Sequence, residues 1–155
     1  MIQLFSLSNL NQILQIEALS FPKSPYDWAT FINLHYLYPE TFLVYVDMTC
    51  DEKADTARSR EGQILGYIVY STEGHIISIA VHPNHRRKGI GTELLSRAMR
   101  IPHVKKIWAE VRKNNQGAQA FYFCKGFKIV GFIPNYYGNE DALTIQWTPS
   151  SVSKP

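Results

Sequence analysis

Residues 79–92, Ile79-Ala80-Val81-His82-Pro83-Asn84-His85-Arg86-Arg87-Lys88-Gly89-Ile90-Gly91-Thr92, join a β-type apolar run to a basic, glycine-punctuated loop that opens a helix. Those residue types in that order suit a diphosphate. Close backbone approach to phosphate needs glycine, free N–H groups supply donors, and the positive end of a helix dipole favours the anion. Gly89 and Gly91 allow the approach, Arg86, Arg87 and Lys88 bring positive charge, and Thr92 to Met99 reads as the helix. Neither nucleotide fingerprint is present, since the chain has no G-x-G-x-x-G and no G-x-x-x-x-G-K-[ST]. The pattern points to a diphosphate outside those two classes.

The elements that must hold this loop follow from periodicity. Ile2 to Phe5 reads as a first strand, and Leu10, Ile13, Leu14, Glu17 and Ala18 have helical spacing with Ser8 or Asn9 as cap. Phe21-Pro22-Lys23-Ser24-Pro25 breaks that helix, and an aromatic-rich helix resumes from Tyr26 to Leu37. Phe42–Val46 and Ile64–Tyr70 read as strands bridged by the polar Asp51–Gly62, a solvated loop. Glu73-Gly74 turns the chain into a strand over His75–Val81, which feeds the phosphate loop. After the helix that follows come a strand through Lys106–Val111, a helix over about Asn115–Lys125, and strands near Phe127–Ile133 and Ala142–Trp147. The order is mixed α/β, without an internal repeat or a domain linker.

At 155 residues, 45% hydrophobic and 19% charged, the chain can bury one ordinary core, so a single domain over 1–148 is expected, with a frayed tail over 149–155. Cys50 and Cys124 are too few for a zinc site or a disulfide framework, and no metal is expected. No basic n-region precedes a long apolar run, and no stretch reaches the roughly 18 apolar residues of a membrane span. A cytoplasmic protein with no membrane partner is the expectation. The net charge of +3 is uneven: residues 83–128 hold eleven Lys/Arg against Glu93 and Glu110, a net of +9, which leaves −6 for the rest. A basic half suits a polyanionic ligand and an acidic remainder a cationic one. Nucleic acid is not the expected polyanion, because the charges are spread through periodic apolar segments with no aromatic stacking array.

Arg86-x-x-Gly89-x-Gly91 resembles the [Q/R]-x-x-G-x-[G/A] acetyl-CoA motif of the GNAT superfamily of N-acetyltransferases. Residues 109–127, Ala109-Glu110-Val111-Arg112 through Asn115, Ala118, Tyr122 and Gly126-Phe127, look like the E-V-R-x-x-N-x-x-A-x-x-x-Y-x-x-x-G-F segment of the subgroup that includes ribosomal-protein-alanine and other protein N-terminal acetyltransferases. Asn135-Tyr136-Tyr137 followed by Glu140-Asp141-Ala142 is similar to a loop of that subgroup. The resemblance implies a GNAT-type α/β (α+β) fold, a largely antiparallel central sheet of about six to seven strands flanked by about four helices. It also implies acetyl-CoA as co-substrate, held by Ile79, Ala80, Val81, Arg86, Arg87, Lys88, Gly89, Ile90, Gly91, Thr92, Asn115, Tyr122 and Lys125. The backbone of the strand ending at Ile79 and Val81 is expected to pair with the pantetheine arm like an added strand.

Acetyl transfer to an amine poses two proton problems. An ammonium cannot attack a thioester, so the acceptor must lose a proton, and the departing thiolate is best protonated as it leaves. By position in the E-V-R segment, Glu110 matches the family's base, acting directly or through a water; read alone, it is a strand-end carboxylate paired with Arg112 or solvated. Tyr122 matches the tyrosine the family uses as general acid; read alone, it is a packing residue. Asn115 suits both a helix cap and the pantetheine arm. His75 begins a strand, His82 and His85 flank the phosphate loop, and His35 and His103 lack partners at ligand spacing; each reads as a solvent-facing or core residue. Cys124, with no base at sequence spacing, reads as a half-buried helix cysteine.

Acidity bears on the acceptor. At pH 7 an α-amine is roughly 10–15% neutral and a lysine about 0.04%, a difference of about 3.5 kcal/mol that a lysine enzyme must supply. A single carboxylate acting through water suits an α-amine. Phe21, Pro22 and Tyr26, which the family arrangement sets facing Tyr136 and Tyr137, are the expected peptide-binding residues. The chain departs from the ribosomal enzymes at Lys23, where they often carry an aromatic, and in its longer polar loop. The reading is N-terminal acetylation of a peptide or protein by direct transfer in a ternary complex, by a monomer or homodimer. The alternatives are a GNAT enzyme acting on a small amine or a protein lysine, and a non-enzymatic acetyl-CoA sensor.

Overall fold

The computed structural model describes residues 1–48 and 62–149. Cys50, all of the expected polar loop except Gly62, and all of the expected tail except Pro149 lie outside the described residues. Among the described residues there are seven strands and four α-helices: β1 (Ile2–Leu4), α1 (Leu10–Ser20), α2 (Trp28–Leu37), β2 (Phe42–Asp47), β3 (Gln63–Tyr70), β4 (Ile76–Val81), α3 (Ile90–Met99), β5 (Ile107–Arg112), α4 (Gln116–Cys124), β6 (Lys128–Ile133) and β7 (Ala142–Trp147). This is the mixed α/β, largely antiparallel architecture expected. The strands form two sheets in place of one, a four-stranded sheet in the order β1-β2-β3-β4 and a three-stranded sheet in the order β5-β7-β6. The chain divides into two compact units, Met1–Tyr70 with Ser78–Arg97, and Ser71–Ile77 with Ala98–Pro155.

In the first unit the apolar spacing of α1 buries Ile13 and Ile16. Each such side chain contributes about 1.5–3 kcal/mol when fully buried. Against the sheet an aromatic cluster fills the core: Phe5 stacks on Phe42 at 4.0 Å, and Phe31 meets Tyr67 edge-on at 5.6 Å. The helix expected from Tyr26 begins at Trp28, because Asp27 is extended and its carboxylate accepts from the Thr30 N–H at 2.9 Å, a side-chain N-cap. Asn9 holds the N-cap position of α1, yet its side chain accepts from Ser6 N, in the preceding turn.

α1 also buries a charge. Glu17, 2% exposed, accepts from the Tyr26 N–H at 3.0 Å and from the Tyr67 hydroxyl, which is 2.9 Å from Ser78 Oγ. Burial raises its carboxyl above the ordinary value, and the two hydrogen bonds oppose that rise. The same pair pushes the Tyr67 phenol well up, by burial first and then by the Glu17 charge.

In the second unit β5 alternates: Ile107, Ala109 and Val111 are buried, while Trp108, Glu110 and Arg112 are half-buried on the opposite face. β7 lies antiparallel beside it, with Glu110 opposite Thr144 and Arg112 opposite Ala142. Tyr122 and Phe127 pack edge-to-face at 5.1 Å in the same core. Gly74 has φ +110, and a Cβ there would lie 2.2 Å from the Lys106 carbonyl, so only glycine lets the chain run this close to β5. The close approach is secured by Trp108 N–H donating to Gly74 O at 2.9 Å and by a parallel bridge between His75 and Trp108.

Candidate functional site

In the first unit the loop from Pro83 to Gly89 runs from β4 into α3. Arg87 has φ 60 and Gly89 φ 85, so the loop is left-handed at two positions just before α3. The amides of Arg87, Lys88 and Gly89 have no acceptor among the described residues, and the loop is exposed. A free amide row at a helix start, with Arg87 and Lys88 beside it, has the chemistry to hold an anion. Arg86 braces it: its Nε donates to Val81 O at 3.0 Å and its Nη2 to Ser20 Oγ at 3.2 Å. β4 is the last strand of its sheet, as a strand that pairs with an extended ligand must be. Phe21, the C-cap of α1, together with Pro22 and Tyr26, also belongs to this unit, with the Tyr26 N–H tied to Glu17.

In the second unit the half-buried face of β5 carries the titratable groups. His75 Nε2 lies 2.7 Å from Glu110 Oε2, with the side chains 32% and 18% exposed. The imidazole stacks on the Trp108 indole at 5.1 Å and 3°, which fixes its ring plane, and Lys106 Nζ sits over the same indole. Glu110 is therefore paired with His75, and not with Arg112 or with solvent alone, the two surroundings that the residue read by itself suggested. Arg112 instead binds Glu140 at 3.0 Å and lies over the Tyr137 ring at 4.0 Å.

Tyr122 is 4% exposed on α4, and its hydroxyl has no hydrogen-bond partner among the described residues. Burial, then the neighbouring Tyr137, then the Glu110 charge push its phenol far above the ordinary value. The Tyr136 phenol is also raised, by burial and then by Glu110. Glu110, Tyr122, Tyr136 and Tyr137 thus share one electrostatic environment. Asn115 caps α4 as expected, accepting from Ala118 N at 3.0 Å, and Lys125 is the C-cap. Cys124 is exposed rather than half-buried, because it lies on the face of α4 away from Tyr122. No group of three or more His, Cys, Asp or Glu that could hold a metal occurs among the described residues.

Residues 10–127 match the Acetyltransferase (GNAT) family. The chain belongs to the GNAT family. It is 31% identical to an uncharacterised N-acetyltransferase of Methanocaldococcus jannaschii over 97% of this chain and 93% of that one. To a protein of Sulfurisphaera tokodaii named N-alpha-acetyltransferase it is 31% identical, over 88% of this chain and 85% of the other. Among solved structures, Ard1 from Thermoplasma volcanium superposes with a TM-score of 0.79 at 28% identity, covering 97% of this chain and 98% of that one. This GNAT chain is an acyltransferase. The family match takes in the loop from Pro83 to Gly89, Glu110 and Tyr122, and ends before Tyr136 and Tyr137.

Sequence reading missed the partner of Glu110. The alternation of Trp108, Glu110 and Arg112 on one face of β5 was readable, but His75 is 35 residues away and is delivered by the close approach at Gly74.

Proposed function

We propose that this protein transfers an acetyl group from acetyl-CoA to the N-terminal α-amino group of a peptide or protein, by direct transfer in a ternary complex. The observation that carries the reading is the Glu110–His75 hydrogen bond together with the Tyr122 hydroxyl, which has no hydrogen-bond partner among the described residues. When bound, acetyl-CoA supplies the activated thioester carbonyl. The amides of Arg87, Lys88 and Gly89 and the first turn of α3 hold its diphosphate, Arg86 braces the loop, and Ile79 to Val81 present a strand edge to its arm. Asn115 and Lys125 line the ends of α4 for the same ligand.

Glu110 takes a proton from the acceptor ammonium, directly or through a water, and His75, one-third exposed, receives it at Nε2 and releases the Nδ1 proton toward solvent. A positioned general base of this kind contributes about 10²–10⁴-fold. As the new C–N bond forms and the C–S bond breaks, the nitrogen loses its second proton to solvent by way of Glu110 and His75. Tyr122 donates a hydrogen bond from its O–H to the departing thiolate, and solvent protonates that thiolate on release. Its raised pKa keeps the phenol protonated at neutral pH. A thiol near 8.5 is the stronger acid, so Tyr122 stabilises the thiolate as a hydrogen-bond donor more than by surrendering its proton.

An α-amine acceptor is supported by three things: its ready supply of neutral amine, the aromatic loop at Tyr136 and Tyr137, and relatives that bear the name N-alpha-acetyltransferase. Phe21, Pro22, Tyr26, Tyr136 and Tyr137 contact the peptide. The test is CoA release with peptides beginning Ala, Ser, Thr, Gly or Met, the same peptides blocked at the N-terminus with one internal lysine, and a set of polyamines. Turnover confined to free N-termini supports the reading, and turnover on blocked peptides or polyamines sinks it.

A further inference from the structure

The loop between β6 and β7 is held by a buried ion pair that neither phosphate binding nor the proton steps use. Glu140, 8% exposed at its side chain, accepts from Arg112 Nη1 at 3.0 Å with Oε2 and from Asn114 N–H at 3.0 Å with Oε1. Both carboxylate oxygens are thereby engaged on the end of β5. The guanidinium, 13% exposed, lies with Cζ 4.0 Å from the Tyr137 ring centroid, close enough for a cation–π contact. Tyr137 in turn meets Tyr136 edge-on, at 4.8 Å and 86°, and Tyr136 is 50% exposed.

The backbone closes the same unit. Lys113 N–H donates to Asp141 O at 3.0 Å, Tyr137 N–H to Glu140 O at 3.1 Å, and Asn135 N–H to the Asp141 carboxylate at 2.9 Å. Asn135 and Gly138 take the left-handed conformations that the turn requires, at φ 52 and φ 87. A buried carboxylate with a planar cation stacked on an aromatic ring fixes that ring in a way a flexible ammonium cannot reproduce, because guanidinium has a flat face and a rigid donor fork. The order Glu140, Arg112, Tyr137, Tyr136 runs from a buried anchor to a solvent-facing ring.

We propose that Arg112, anchored by Glu140, is a positioning residue that sets the orientation of Tyr137, and through it Tyr136, as the aromatic wall that receives the acceptor's first residues. This rests on the reading above that Tyr136 and Tyr137 contact the acceptor. Arg112 acts on acceptor binding and only through Tyr137. It has no part in donor binding.

The experiment is steady-state kinetics of the full chain with Arg112→Lys, Tyr137→Leu and the double variant, with donor and acceptor each varied. Arg112→Lys keeps the charge beside Glu140 and removes the flat stacking face. The acceptor KM is expected to rise by about tenfold to a hundredfold, the scale of a misplaced binding group, while the acetyl-CoA KM stays within about twofold. In the Tyr137→Leu background the lysine substitution is expected to add nothing further, since the two act as one unit. Should Arg112→Lys fail to fold, Glu140→Gln keeps the shape and removes the charge that anchors the guanidinium, and the same acceptor-only rise is expected. A fall in kcat with unchanged acceptor KM, additive effects in the double variant, or equal rises in both KM values overturns the proposal. The acceptor reading fails separately, by wild-type turnover on amines other than free N-termini, and the coupling between Arg112 and Tyr137 is then measured on that amine.

Discussion

The imidazole Nε2 of His75 and the carboxylate Oε2 of Glu110 are 2.7 Å apart, although the two residues are 35 positions apart in sequence. Three features produce that distance: Gly74 allows contact with the Lys106 carbonyl, the His75–Trp108 bridge sets the register, and the indole fixes the imidazole plane. In the proposed reaction, carboxylate and imidazole so placed accept a proton at one end and release it at the other. His75→Phe keeps a flat ring for stacking and removes the nitrogen. Its kcat is expected to fall about tenfold to a hundredfold with the acetyl-CoA KM unchanged, and Glu110→Gln to fall about 10²–10⁴-fold. Full activity in either variant, with the protein folded, contradicts the assignment.

Gly74→Ala tests how the pair is delivered. A Cβ at 2.2 Å from the Lys106 carbonyl forces backbone to move, a change of the overpacking type that costs about 1–3 kcal/mol. Activity is expected to fall in proportion to the displacement of His75, and a crystal structure of the variant should show the His75–Glu110 distance lengthened beyond hydrogen bonding. A variant with wild-type melting temperature and turnover would show that the close approach is dispensable.

The Tyr122 hydroxyl has no hydrogen-bond partner among the described residues, so its removal leaves nothing unsatisfied. Tyr122→Phe is expected to melt within a few degrees of wild type while kcat falls about 10²-fold. A large loss of stability with unaltered kcat would make Tyr122 a packing residue.

Much of the fold was legible. Alternation in Ile107–Arg112 and Ala142–Trp147, and the 3.6 spacing of α1, name elements whose edges the structure moves by only a residue or two. The cap at Asp27 was not read, because an aromatic-rich run hid a side chain that competes for the first free amides. The glycine loop that leads into α3 was legible from Gly89 and Gly91 because its signal is local, and Gly89 does take a left-handed conformation. The His75–Glu110 and Arg112–Glu140 pairs were not, since each joins segments far apart in the chain and depends on backbone approach that no periodicity encodes.

Glu17 gives a pH signature. Burial holds its carboxyl above 4.5, so the folded protein keeps a proton that the unfolded chain has lost, and stability falls as pH rises from 4.5 through the folded value. In Glu17→Gln this slope is expected to disappear, so thermal melting curves recorded from pH 4 to 8 should converge at the acid end and diverge toward neutrality. Parallel curves would place the Glu17 carboxyl at its ordinary value.

Gly89 tests the cradle. At φ 85 with no atom within 4 Å of an added Cβ, Gly89→Ala meets no collision and costs only backbone strain, about 1–2 kcal/mol. Calorimetric titration with CoA should show affinity lowered about tenfold as the loop relaxes from the left-handed conformation. Unchanged CoA affinity would mean that the loop does not hold the diphosphate.

The central claim is transfer of acetyl to an α-amine. Its most direct test is a single peptide that carries both a free N-terminus and an internal lysine, incubated with deuterated acetyl-CoA and the enzyme and then fragmented by mass spectrometry. Label is expected on the α-nitrogen alone, and is expected to be lost with Glu110→Gln. Label on the lysine side chain, or a peptide left unlabelled by an enzyme that acetylates small amines, would contradict it.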